Sequence, residues 1–314
     1  ALCLVGSEMC IRDSFNVIEL ALDFNIISKE DFNFSVGGNI AWNKTEITNL
    51  ESQALEDFYV DGIAEPRRFY FGDNISRGNI FKYPANVFVE GEETSMFYGL
   101  ETDGIYQSDD VLPEVFGSAA VPGDVKIVDQ NGDGIIDIKD RTFIGNPNPD
   151  YVYGFNLNFN YKRFNARVLF NGVYGNDIAN GNLLQLDNAE GLIYLNISPD
   201  AYYNAWRPDA ETNVYPRIGY TTNGQPAMTD RIIEDGSYLR LSNLTISYDF
   251  DVDKIRSISN LKMFVAGQNL FTLTDYSGYD PEISSFLYNG LINGVDWNGR
   301  ANARTFVLGL NIGF

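Results

Sequence analysis

The densest oxygen chemistry in the chain lies in Asp129-x-Asn131-x-Asp133-Gly134-Ile135-Ile136-Asp137-x-x-Asp140. Side-chain oxygens at the first, third and fifth positions are followed by a glycine for a sharp turn, a backbone carbonyl offered by Ile135, and two more acids, the spacing of a calcium loop. Hard oxygen donors suit Ca2+, so the expected cofactor is a structural calcium that orders a loop. The pattern departs from the EF-hand form at its last position, where Asp140 replaces a longer bidentate Glu, and no amphipathic helix precedes it. A solvated acidic turn is the other reading of the same residues.

Other reactive chemistry is sparse. The chain contains no His, and its two cysteines, Cys3 and Cys10, fall in the opening ALCLVGSEMCIRDS. With no GxSxG turn and no phosphate loop, the usual triads and zinc sites have no residues to build them, and the chain reads as a non-enzyme. Forty-three acidic against 22 basic residues give a net charge of -21. Such a surface repels phosphates, which excludes nucleic acid as a partner. The opening segment differs in character from everything after it and reads as a non-native leader over residues 1–14, a translated adapter, with the native chain running over 15–314.

The elements that position the acidic loop are strands. From Tyr151 to Tyr161 the odd positions are Tyr, Tyr, Phe, Leu, Phe and Tyr, whereas Val152, Gly154, Asn156, Asn158 and Asn160 lie between them. That strand has the length of a tilted membrane-spanning strand, about 9–11 residues, with aromatic rings at both ends. The same alternation occurs at 18–26, 32–42, 164–174 and 306–314, and no charge falls on any of these five apolar faces. Less regular strands are predicted near 97–106, 238–250 and 261–271, with a weaker one near 81–89. The alternation slips at Ser242 and Asn243, which predicts a β-bulge. No apolar run approaches the ~18 residues of a membrane helix, and barrel strands conceal their hydrophobicity in alternation.

The connections assign sides. Those at 28–31, 91–93, 162–163 and 251–260 are short, whereas 43–80, 107–150, 175–237 and 272–304 are long. Outer-membrane barrels have short periplasmic turns and long extracellular loops, so the acidic loop belongs outside. The fold class is therefore an all-β antiparallel transmembrane barrel in outer-membrane lipid. About nine strands are expected, a part of a larger barrel because bacterial single-chain barrels use even numbers and close completely. The competing architecture is a calcium-stabilised extracellular β-sandwich, an adhesin or glycan-binding protein, in which a second sheet covers the same apolar faces.

Five segments carry a resemblance: SMFYGLETDGIYQS, GDVKIVDQNGDGIIDIKDRTFIGNPNPDYVYGFN, IEDGSYLRLSNLTISYDF, LKMFVAGQNLFTLTDYSGYDPEIS and the closing RTFVLGLNIGF. In this order and spacing they resemble the carboxy-terminal barrel region of SusC/RagA-like TonB-dependent outer-membrane transporters, over most of residues 17–314. The resemblance implies a 22-stranded barrel in a Gram-negative outer membrane, with an internal plug and a TonB-contacting segment that this sequence does not carry. It further implies a SusD-like surface lipoprotein as partner and oligosaccharides or peptides as cargo. Phe314, ending an alternating strand, resembles the terminal signal read by the barrel-assembly machinery. Tyr202, Tyr203 and Trp206 offer aromatic faces for substrate or lid contact, against the plainer role of loop packing.

Overall fold

In the computed structural model, the residues described are 2–3, 10–50, 53–75, 84–187, 196–218, 228–253, 257–282, 285–286 and 289–314. Seven long strands form the wall: β1 (Cys10–Ser28), β2 (Phe32–Asn49), β3 (Tyr151–Tyr161), β4 (Phe164–Tyr174), β5 (Tyr238–Asp249), β6 (Asn260–Thr274) and β7 (Thr305–Gly313). Each pairs antiparallel with the wall strand next in sequence, and the two-residue segment Leu2–Cys3 adds an eighth strand beside β1. The chain is a partial all-β barrel wall. No helix of the described residues is long and apolar enough to cross a membrane.

Register explains how the two faces stay separate. Along β3 and β4 every position is matched without a slip, from Tyr151 opposite Tyr174 to Tyr161 opposite Phe164. Because side chains alternate with period two, one slip would move the whole apolar set to the other face. The rings reinforce this pairing: Phe155 stacks on Phe170 at 4.5 Å and Tyr151 on Tyr174 at 4.9 Å. Such offset pairs add about 0.5–1.5 kcal/mol beyond area burial. The predicted slip at Ser242 is a bulge in which Leu241 and Asn243 are matched to Phe271 and Gln268.

The apolar face has no protein cover among the described residues. Ile18, Leu20, Leu22, Phe24 and Ile26 are exposed, and Phe306 and Leu308 are 72% and 74% exposed. A sandwich requires a second sheet over these side chains. The described chain places its remaining sheets beyond one end of the wall, in the long connections.

Two expected wall strands belong to those connections instead. The four-stranded loop sheet runs in the order Arg141–Gly145, Met96–Leu100, Asn86–Val89 and Phe69–Phe71. It takes the first half of the predicted 97–106 strand, whose second half, Thr102–Ile105, pairs instead with Val125–Ile127, and it takes the described part of the 81–89 strand, of which residues 81–83 lie outside the described residues. All four residues Asn86–Val89 are buried, so neither side of that strand faces lipid. Phe58 stacks on Tyr98 at 4.7 Å, in a cluster with Val87 and Val89. The nine expected strands thus become seven long ones plus Leu2–Cys3. Removing a pair leaves the alternation of short and long connections intact: 29–31, 162–163 and 250–259 lie at one end, and 50–150, 175–237 and 275–304 at the other.

β1 and β2 are longer than the membrane requires, at 19 and 18 residues. Their outer halves pair from Arg12 opposite Asn49 to Val17 opposite Asn43. Beyond the wall, Ile47 and Leu50 pack with Phe88 and Leu291, tying this extension to two loops.

Candidate functional site

The inner face of the wall is an amide-rich surface. Arg167 Nε on β4 donates to Asn158 Oδ1 on β3 at 2.9 Å, and Asn158 Nδ2 donates to Asn156 Oδ1 at 2.8 Å. On β5, Thr245 Oγ1 donates to Asn243 Oδ1 at 2.8 Å. At the short-turn end, Asp249 accepts from Asn165 Nδ2 at 2.8 Å and lies 3.4 Å from Lys262 Nζ. Between these side chains is a depression of about 500 Å3 lined by Asn158, Asn165, Arg167, Thr245 and Lys262, among others. Mutual hydrogen bonding satisfies part of this surface and leaves it suited to water or a polar partner.

At the opposite end the wall is joined to its loops. Arg240 is on the inner face of β5 because its neighbours Leu239 and Leu241 point outward. Its guanidinium pairs with Asp280 and Glu282, and its Nε donates to Thr272 Oγ1 on β6 at 3.0 Å. A planar fork with several donors matches this three-part set better than an ammonium could. Asp280 also accepts from the backbone N–H groups of Glu282 at 2.9 Å and Asn302 at 3.2 Å. Nearby, the Tyr276 hydroxyl donates to Asp296 at 2.6 Å. Burial and then the Asp296 hydrogen bond push the Tyr276 phenol well up.

The acidic loop lies in the long 50–150 connection. Asp129 accepts from the N–H groups of Gly132 and Gly134, both at 2.7 Å. Asn131 Oδ1 accepts from Asp133 N at 2.9 Å, and Asp133 Oδ1 from Ile135 N at 2.8 Å. Asp140 is buried and accepts from Gln130 N at 3.0 Å and Asp137 N at 2.7 Å; Asp137 in turn accepts from Lys139 N at 2.7 Å. Burial raises the Asp140 carboxyl above its ordinary range, against the lowering effect of those N–H donors. The donors are of the right type and order for Ca2+, and the loop also closes on its own backbone. Among the described residues no group of three or more acids is gathered around a metal position.

The three aromatic candidates are separated by burial. Trp206 is buried with Ile105 and Val125, and its Nε1 donates to Gln107 Oε1 at 3.1 Å. Gly123 makes this packing possible, since a Cβ there would meet the indole at 2.5 Å. Tyr202 and Tyr203 are 54% and 70% exposed, and their rings meet edge to face at 5.3 Å. Phe314 is exposed, one residue beyond β7.

No protein-family model matches the chain. Among curated proteins, a TonB-dependent receptor of Formosa agariphila is 31% identical over 307 residues, covering 94% of this chain and 28% of the receptor. The TonB-dependent receptor SusC of Bacteroides thetaiotaomicron is 29% identical over 302 residues, covering 95% of this chain and 26% of SusC. The chain belongs to the SusC/RagA-like TonB-dependent transporters. It spans little more than a quarter of the length of these relatives. The same fold appears in the solved RagAB peptide transporter, with a TM-score of 0.70 at 22% identity over 96% of this chain and 29% of that one. The RagAB peptide importer in its open-open state gives 0.69 at 23% identity.

As a SusC/RagA-like chain, its place is the outer membrane of a Gram-negative bacterium, and the relatives are named as receptors rather than enzymes. In that setting an uncovered apolar face on β1–β7 suits lipid, and the asparagine-rich face suits a hydrated interior. Sequence reasoning did not single out Arg240, Asp280 and Glu282, although SYLRLS and GYDPEIS were among the resembling segments. A single basic residue within an alternating strand was the available signal.

Proposed function

We propose that this chain supplies part of the wall and mouth of an energised importer that takes up oligosaccharides or peptides with TonB and a SusD-like surface lipoprotein. The observation that carries the reading is the pairing of an uncovered apolar face with an amide-lined polar face on the same seven strands. A closed wall of that kind isolates a hydrated interior from lipid. The loops above are packed and bonded to the wall, as a mouth that hands cargo to the interior must be. The test is uptake of labelled oligosaccharide and peptide probes by cells carrying the intact receptor, with and without TonB. Uptake that needs both receptor and TonB supports the reading; equal uptake without TonB overturns it.

Several finer roles follow as proposals. A Ca2+ held by Asp129, Asn131, Asp133, the Ile135 carbonyl, Asp137 and Asp140 stiffens the outer loop, supported by the order of its oxygen donors. Tyr202 and Tyr203 contact the lipoprotein or cargo, supported by their exposure. Phe314 is read by the barrel-assembly machinery, supported by its place after an alternating strand.

A further inference from the structure

Beside the Arg240 junction lies a cavity of about 490 Å3, between the short helix Gly181–Leu186, the 277–279 turn and the 298–299 turn. Its size falls within the range of small-molecule sites, about 300–1,000 Å3. Its position is fixed from two sides. Asn180 Nδ2 donates to Glu234 at 2.8 Å and to Ser277 Oγ at 3.3 Å, and Asn182 Oδ1 accepts from Asn298 N at 2.8 Å. From the other side, Asp280, the residue after Tyr279, is bonded to Arg240 on the inner face of β5. The cavity therefore lies at the long-connection end of the wall.

Its chemistry is selective. Although the chain carries a net charge of -21, none of the described residues that line this cavity is a carboxylate, Lys or Arg. Leu183 and Leu186 supply apolar lining, Asn182 and Asn298 supply amides, and Tyr279, 83% exposed, stands at the edge. Gly278 allows the turn that presents this ring, since a Cβ there would meet the Tyr276 ring at 2.4 Å. Asn298 has a φ of 53°, in the left-handed region. Strained backbone of this kind clusters at ligand clamps.

We propose that this cavity is a subsite for an uncharged, hydroxyl-rich ring of an oligosaccharide cargo, an assignment that rests on the import reading above. The exposed Tyr279 face receives the C–H face of the ring, and the amides of Asn182 and Asn298 receive its hydroxyls. One common mode for an extended peptide is to add its main chain to a free strand edge. Among the described residues the cavity is lined by a helix, two turns and the end of the strand Asp177–Asn180, whose two edges are already taken by Ile233–Asp235 and Val295–Asp296.

The test is titration of the purified intact receptor with neutral malto-, laminari-, xylo- and mannohexaose, and with the uncharged peptide N-acetyl-(Ala-Ser)3-amide. At least one sugar is expected to bind, Tyr279→Ala to weaken it about tenfold, and Tyr279→Phe, which retains the ring, to change it by no more than about twofold. Asn298→Gly keeps the backbone geometry and removes the amide, so it too should weaken binding without lowering stability. Binding by none of the sugars, sugar binding indifferent to Tyr279→Ala, or peptide binding that Tyr279→Ala removes would each overturn the subsite. TonB-dependent uptake by wild-type cells separates the two ideas: if uptake persists while Tyr279→Ala changes nothing, import stands and the subsite falls.

Discussion

Arg240 on β5 and Asp280 in the 275–304 connection form an ion pair in which both side chains are buried, at 3% and 5% exposure. The pair bonds a membrane strand to a loop forty residues away, with Thr272 and the Asn302 N–H completing the network. The fold of the 275–304 connection is thereby coupled to the integrity of the wall.

Removing one partner of a buried pair leaves a charge without compensation, a loss of about 3–5 kcal/mol. Asp280→Ala should therefore lower the urea midpoint of the folded receptor far more than Glu282→Ala, because Glu282 is half exposed. The double variant Arg240→Met with Asp280→Leu should recover much of the loss. Equal small effects of both single changes would show that the pair is not structural.

On the inner face, Gly309 of β7 sits opposite Phe264 of β6, and a Cβ at Gly309 would lie 2.1 Å from the phenyl ring. Gly309→Val should reduce the fraction of heat-modifiable, folded receptor, an overpacking cost of about 1–3 kcal/mol. Adding Phe264→Ala should restore folding, since the ring is the nearest obstacle. Failure of that rescue would place the strain in the backbone.

Asp177 stands directly across a strand pair from Asp235 and accepts from Asn146 N at 2.7 Å. Burial, and to a lesser extent Asp235, raises its carboxyl above the ordinary range, while the Asn146 hydrogen bond opposes the shift. The folded loop then holds the proton more tightly than the unfolded chain, so its contribution is full below the ordinary carboxylate range and is lost as pH rises through the raised value. Amide exchange at Gly145, Asn146 and Asn148, corrected for intrinsic rate, should slow as pH falls from neutrality into the carboxylate range, and Asp177→Asn should flatten the trend. An unchanged slope in that variant would assign it elsewhere.

If Ca2+ stiffens the acidic loop, protease cleavage near residues 129–140 should slow when Ca2+ is added after chelation. Asp129→Ala with Asp133→Ala should abolish the effect. Identical digestion with and without Ca2+ in the wild type would leave the loop closed by its own N–H groups alone.

The wall was legible in the sequence because lipid forbids charge on one face of every strand, so alternation survives in 18–26, 32–42, 151–161, 164–174 and 306–314. Outside the membrane that constraint lapses. The outer halves of β1 and β2, which carry Arg12, Asp13, Lys44 and Glu46, consequently showed no boundary, and their strands run further than the pattern suggested. Residues 97–100 alternate well enough to pass for wall, yet they are buried in a loop sheet, because tertiary packing decides the fate of short apolar runs. The Arg240–Asp280 pair has no local signature. Trp206 looked like a contact residue and is buried beside Gly123, a distinction that depends on packing across the long loops.

The central claim is that Tyr151–Tyr161 crosses the membrane with its odd positions in lipid and its even positions inside. The chain has only two cysteines, Cys3 and Cys10, so single cysteines can be introduced along 151–161 in a background lacking both. Spin labels at these sites, read for collision with oxygen dissolved in lipid and with a water-soluble nickel chelate, measure the faces directly. The structure predicts period-two accessibility: oxygen contact is greatest at Tyr153, Phe155, Leu157 and Phe159, and lowest at Gly154, Asn156 and Asn158. Uniform accessibility, or the opposite phase, would contradict it.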